Sequence, residues 1–312
     1  MVATEETEEA KDSRKSRRGR GGGVGGPRSG EMRTVAQKIN VEELSKALET
    51  EQEDRTKAVI EAILARQRNG TLRVEYRRKM RGEGRWYATG KAQLQSCKRT
   101  VREAALRGLA WEVDLRASYP MIVLGLMRDT ARTGEKAEQM DAIAAYVYET
   151  DKVRKQVAED YRTSVTAAKK CFNSLMFGGS IAKWKRVWKV AKEAQSPIAE
   201  ALEKEIQRAR VLIAEQELKR SGARAKRSDA TMMSEAVSRA EEAIMLKIQH
   251  AVSKLGWETG TLIHDAIIVQ RKSNQDPTEQ RTLEQAVEAA LFGEMAERGW
   301  ARGAARAKVT KM

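Results

Sequence analysis

Cysteine and histidine are almost missing from this chain. Two cysteines (Cys97 and Cys171) and two histidines (His250 and His264) among 312 residues allow neither a disulfide framework nor a Cys- or His-rich metal centre. Long apolar runs are missing too, for none approaches the roughly 18 residues of a membrane span. The charged start MVATEETEEAKDSRKSRRGRGGG has no apolar stretch behind it, unlike a secretory leader. The expectation is a reduced, intracellular protein without a membrane partner, its compartment left open. Charge, by contrast, is abundant: 59 Lys and Arg against 44 Asp and Glu, for a net charge of +15. Hydrophobic residues make up 41%, enough for a chain of this length to bury a core. The cationic excess points to a polyanion as the partner.

Residues 1–34 pass from an acidic patch into a Ser/Arg/Gly run with almost nothing apolar, and such a segment is expected to be disordered. From Asn40 to Gln67 the apolar positions recur at helical spacing, followed by a β-rich piece (Leu72, Val74, Tyr76, then Trp86-Tyr87) around an Arg81–Gly84 turn. Residues 94–109 read as a helix, 109–115 as a strand, and 119–127 as an apolar helix. Helices are then expected near 136–150, 152–177, 196–219 and 231–255. A strand follows over Thr261–Gln270, then a helix from Asp276-Pro277 to Arg298, and an edge strand near 307–312. Short strands far apart in the chain, with long helices between them, indicate an α+β fold with a small sheet. Three parts are expected: the tail (1–34), a helical and hairpin segment (35–110), and a sheet domain (111–312) carrying inserted helices at about 130–255.

Two aspartates stand out. Asp114 follows Trp111 and Val113 on the strand expected over 109–115, ahead of an apolar helix, and Asp265 is centred in the apolar run Thr261–Val269. An ionised carboxylate in such surroundings is costly unless paired or bound to a metal. Two of them on one sheet can share two Mg²⁺ ions, as phosphoryl or nucleotidyl transfer requires. The alternative is an Asp265 paired with a buried arginine or capping a turn. The segment Tyr161–Gly179 is cationic and ends in glycine; helical spacing sets Arg162, Lys169 and Asn173 on one face, with Phe177 a turn further on. Such a row can grip a triphosphate at one end and stack a base at the other, and Gly178-Gly179 allows close backbone approach. An amphipathic helix with solvated cations fits that pattern equally well.

Taken in order, these segments resemble motifs A, B and C of the family A DNA polymerases. Motif A there is a strand Asp leading into a helix. Motif B has Lys, seven residues, then an aromatic-Gly pair, as Lys169 and Phe177-Gly178 do here. Motif C is an apolar hairpin with His-Asp, as in Leu262–Val269. Upstream, Gly84-Arg85-Trp86 and Gln93-Leu-Gln-Ser96, followed by Arg99 and Arg102, are similar to the family's segment along the primer-template. The resemblance spans residues 84–270, about 60% of the chain. Three positions depart from it. Ala266 stands where the family has a Glu after the motif C Asp, and Val165 stands where motif B has an Arg. The Tyr119-Pro120 pair after Asp114, together with Asn173-Ser174, is similar to family B instead.

The resemblance implies a polymerase-type palm with helical fingers, primer-template DNA and dNTPs as partners, and two Mg²⁺ ions, with Mn²⁺ as a substitute. Asp114, Asp265 and the Leu115 backbone would hold the metal. Arg162, Lys169, Asn173, Phe177 and Tyr119 would meet the nucleotide, with Lys169 also catalytic and Tyr119 excluding a ribose 2′-OH. Arg85, Gln95, Arg99, Arg102, Gly178 and His264 would lie along the nucleic acid, His264 also serving as a hydrogen-bonding group beside the metal. The 11 Lys/Arg against 3 Glu in residues 73–107, and the stretch Ala182–Lys192 in which Trp184 and Trp188 are interleaved with Lys183, Lys185, Arg186, Lys189 and Lys192, suit phosphate contact. Trp184, Trp188, Cys97 and Cys171 read as packing residues. The expected activity is a monomeric template-directed DNA polymerase without a proofreading exonuclease, with room for an accessory priming or processivity factor. Two other readings stay open: a nucleic-acid-binding relic that has lost its chemistry, and a single-subunit RNA polymerase or primase-like enzyme.

Overall fold

The computed structural model describes residues 31–80, 83–132, 140–221, 227–263, 265–272, 278–300 and 306–312. The tail up to Gly30, the Arg81-Gly82 part of the expected turn, and His264 lie outside them. Residues 31–34, grouped with the tail on composition, instead lead into a strand, β1 (Met32–Lys38). Its inward residues are Val35 and Gln37, and a polar inward position hides the alternation.

Two helices follow, α1 (Val41–Thr50) and α2 (Asp54–Arg66), where periodicity indicated a single one. The break is local: the Glu51 carboxylate accepts from the backbone N–H of Gln52 and of Glu53, both at 2.9 Å. Side-chain bonds of this kind compete directly with helix continuation. The hairpin β2 (Thr71–Met80) and β3 (Glu83–Ala88), the short helix α3 (Arg99–Leu106) and the strand β4 (Ala110–Leu115) come next. Then α4 (Ser118–Arg132), α5 (Asp141–Tyr148) and α6 (Thr150–Asp160) lead to α7 (Val165–Met176). The expected helix over 152–177 is thus two. Arg162 turns left-handed at φ 49°, and Ser164 caps α7 by accepting from Ala167 N at 3.1 Å. The chain closes with α8 (Ile181–Val187), α9 (Pro197–Ser221), α10 (Asp229–Lys254), the hairpin β5 (Thr259–Ile263) and β6 (Ala266–Gln270), α11 (Glu279–Glu297) and β7 (Ala307–Lys311).

Among the described residues every strand pair is antiparallel, in two sheets of order β1-β2-β3 and β5-β6-β4-β7. The fold is α+β, with α5 to α10 inserted between the helix after β4 and the β5–β6 hairpin. One apolar core joins the face of β4 and β6 to the inserted helices and α11; a second lies between the three-stranded sheet and α1 to α3. Buried amides tie the two sheets together. Gln37 accepts from Thr261 N at 2.9 Å, and Gln270 donates to the Ala36 carbonyl at 3.2 Å.

Gly125 of α4 packs flat against Trp300, whose indole N–H donates to Asp129 at 3.0 Å. A Cβ at this glycine would lie 2.2 Å from the indole ring. Gly125→Ala should therefore cost on the order of 1–3 kcal/mol by overpacking, although alanine is the better helix former. Urea denaturation checks this, and an unchanged midpoint would contradict the contact.

Candidate active site

Both aspartates come to one end of the four-stranded sheet. β4 lies between β6 and β7, and Asp114 pairs in register with Ala266. The run Thr261–Gln270, read as a single strand, folds back as the β5–β6 hairpin with Ile263 opposite Ala266. Asp265 is consequently in the turn and not in the middle of a strand. Its carbonyl accepts from Leu115 N at 3.0 Å, and its carboxylate accepts from Ser118 Oγ, at the start of α4, at 3.3 Å. Leu115 thus spends its N–H on linking the two segments. Asp114 is half-buried and its carboxylate has no hydrogen-bond or ion-pair partner among the described residues. Burial, then the charges of Asp265 and Glu112, push its pKa up to about 6, against the opposing pull of Arg99 and Lys169.

This pair sits in the wall of a cavity of about 770 Å³. The opposite side is α7, which presents Lys169, Asn173 and Phe177 one helical turn or two apart. Phe177 is 60% exposed and meets the edge of Tyr119 with ring centroids 5.0 Å apart. Tyr119 is buried with its hydroxyl unpartnered, and burial pushes its pKa up to about 12. Gly178, left-handed at φ 88°, brings the end of α7 close to α10, for a Cβ there would lie 3.2 Å from that of Ala230. It lines a separate open groove with Lys170, Ser174 and Lys183.

Other expected residues go elsewhere. Arg162 is exposed on the turn between α6 and α7, off the helix face on which it was placed, and is not in the cavity wall. Gln95 turns inward. Its amide donates to the carbonyls of Trp86 and Leu262, both at 2.8 Å, and accepts from Ala88 N at 2.9 Å. Arg102 likewise serves the interior, donating to the Cys97 carbonyl at 2.7 Å and lying 3.9 Å from Glu112. Arg99 is exposed on α3, paired with Glu103 at 2.8 Å. Arg85 does line the cavity, yet its Nε and Nη2 both bind Glu241 of α10 at 2.6 Å. Of the two tryptophans read as packing, Trp184 is buried, its indole N–H donating to the Ala167 carbonyl at 3.0 Å, while Trp188 is 39% exposed.

Several groups of the site escaped sequence reading. Ser118 and Glu241 lie in unremarkable helical runs. Tyr146 and Arg154, which line the far end of the cavity, have no spacing that separates them from any amphipathic helix. Arg116 and Arg306 meet only because β7 pairs beside β4, Arg116 N donating to the Arg306 carbonyl at 2.9 Å.

No known protein family's sequence profile matches the chain, and no curated protein sequence matches it. Among solved structures it is similar to the POL domain of Pol1 from M. smegmatis, determined in complex with DNA primer-template and dNTP. The TM-score is 0.55 at 14% identity, over 82% of this chain and 50% of that one. The chain therefore has a polymerase-like fold and spans half the length of that structure. No helix among the described residues is long and apolar enough to cross a membrane.

A carboxyl held above its ordinary value costs stability once ionised. The cost sets in as pH rises through about 4 and is complete above about 6. In EDTA at pH 8, Asp114→Asn should accordingly gain on the order of 1–3 kcal/mol over wild type, and the gain should vanish at pH 4. Denaturation at both pH values tests this, and equal stability at pH 8 would contradict it.

Proposed function

We propose that this protein is a nucleotidyltransferase of the DNA polymerase kind, extending a primer on a template with dNTPs. One observation carries the reading: Asp114 and Asp265 meet at the end of a small antiparallel sheet, across a cavity from a helix bearing Lys169 and Phe177. The polymerase-like fold supports it, as does the solved neighbour's complex with DNA primer-template and dNTP.

The donor set suits a hard divalent cation. Two adjacent carboxylates, one of them half-buried without a partner, offer the oxygen ligands Mg²⁺ prefers; Mn²⁺ is the natural substitute. Among the described residues no cluster of three or more His, Cys, Asp or Glu is built to hold a metal, so the site would rest on this pair. Bound there, the ions would lower the barrier to attack by stabilising the entering and leaving oxygens. In the reaction the primer 3′ oxygen forms a bond to the α-phosphorus and releases its proton, while the bond to the β-phosphate oxygen breaks and pyrophosphate departs. Lys169 faces the same cavity and offsets charge on the departing phosphates. Phe177 provides an exposed ring for the nascent pair, and Tyr119 beneath it fills the space a ribose 2′-OH would need. Arg85, held by Glu241, offers the primer-template side of the cavity a fixed guanidinium edge.

Primer extension on a primed DNA template with Mg²⁺ and four dNTPs tests the reading. Templated products from wild type, abolished by EDTA and by Asp265→Asn while DNA binding persists, are expected. The absence of products from wild type despite tight, salt-sensitive DNA binding would instead identify a non-catalytic binding protein, the reading that Ala266 favours. For the sugar gate, Tyr119→Ala should raise rNTP incorporation relative to dNTP by roughly 10- to 100-fold. An unchanged ratio in competition assays would remove Tyr119 from that role.

A further inference from the structure

The cavity does not end at Lys169. It continues to the junction of α5 and α6, where Tyr146 and Arg154 form its wall. Arg154 Nε and Nη2 donate to the Tyr146 hydroxyl at 3.0 and 2.8 Å. That tyrosine is fixed in turn, being buried with its ring 4.3 Å from the ring of Phe172 on α7. Burial raises the Tyr146 pKa, so the phenol stays neutral at physiological pH. The guanidinium is therefore oriented without being neutralised. No carboxylate pairs with it among the described residues.

The other cations of the wall are differently placed. Arg85 is bound to Glu241 and Lys152 to Glu149 at 2.7 Å, while Arg116 and Arg306 are exposed at the opposite rim. The acidic rim residues Glu149 and Asp151 belong to the same segment as Arg154, and neither bonds to it. Arg154 is carried by α6, which packs on α5, α7 and α9, and its partner Tyr146 stacks on Phe172, three residues beyond Lys169 on α7. From the carboxylate pair, the wall thus comes to Lys169 of α7 first and to Arg154 behind it. Val165, one turn before Lys169, leaves α7 without a second cation on that face.

We propose that Arg154 binds the terminal phosphate of a nucleoside triphosphate whose α-phosphate lies at Asp114 and Asp265. An extended polyanion is the ligand that answers this row, with Lys169 at its middle and Arg154 at its far end. The assignment rests on the polymerase reading above and concerns a residue that reading did not use.

Isothermal titration of the full chain, with Mg²⁺ and a primer-template ending in a dideoxynucleotide, compares dATP with dADP. Wild type should bind dATP about 10- to 100-fold more tightly, the worth of a charge-assisted contact. In Arg154→Gln the gap should close to within about threefold with dADP affinity unchanged, and Arg154→Lys should restore part of it. Tyr146→Phe, which keeps the ring and frees the guanidinium, should narrow the gap by less than Arg154→Gln. A full gap in Arg154→Gln, or a gap closed by Arg162→Gln, overturns the assignment. If wild type extends primers yet binds dATP and dADP alike, the assignment fails alone. Should wild type neither bind dATP nor extend primers, the polymerase reading fails and takes the assignment with it.

Discussion

The antiparallel pairing of β4 with β6 is the constraint on which the rest of this molecule depends. It places Asp114 beside the Asp265 turn, and the bond from Leu115 N to the Asp265 carbonyl locks that juxtaposition. Two carboxylates would not adopt it unaided, because like charges repel and burial penalises the ionised form of Asp114. The backbone ladder and the apolar faces of β4 and β6 overcome that penalty. What remains of it appears as the raised pKa of Asp114. Such residual strain is a common property of sites that await a cation or a substrate.

The inserted helices are tied to the rest through α10. Glu241, fully buried, accepts from Nε and Nη2 of Arg85, while neighbouring Glu242 accepts from Gly84 N at 2.8 Å and from the Trp86 indole at 3.1 Å and pairs with Arg78. Adjacent carboxylates on one helix thus grip adjacent positions of one hairpin. Breaking a buried pair of this kind is costly because the surviving charge is stranded. The relative placement of the first sheet and the helical insertion is therefore set by charge as well as by apolar contact.

Much of this was legible in the sequence. Aspartates in apolar runs and distant short strands pointed to the sheet, and a row of Arg, Lys, amide and aromatic ending in glycine pointed to an inserted helix; the cavity between them is seen only in the structure. What escaped detection did so for definite reasons. The tail boundary was set by composition, which cannot register a strand whose inward residue is Gln37. Arg162 was placed on a helix face by spacing, but the Ser164 cap starts the helix after it. Gln95 and Arg102 are polar in a basic stretch, and sequence alone does not reveal that their partners are backbone carbonyls. Glu241 acts through Arg85, far away in the chain, and Arg154 through Tyr146 across the α5–α6 junction; no periodicity within one helix marks either partner.

The strand order β5-β6-β4-β7 also bears on how the chain reaches this state. β4 is made early, but its neighbours on both sides lie beyond the entire helical insertion. The helices can form and pack on local contacts, whereas β4 must wait for partners of high sequence separation, and non-local pairing is slow. In the interval it is an apolar strand with two unpaired edges, the kind of surface that invites intermolecular association. On this topology the site is expected to assemble after the helices, and a chain caught before that point would have its helices but neither the carboxylate pair nor a protected sheet.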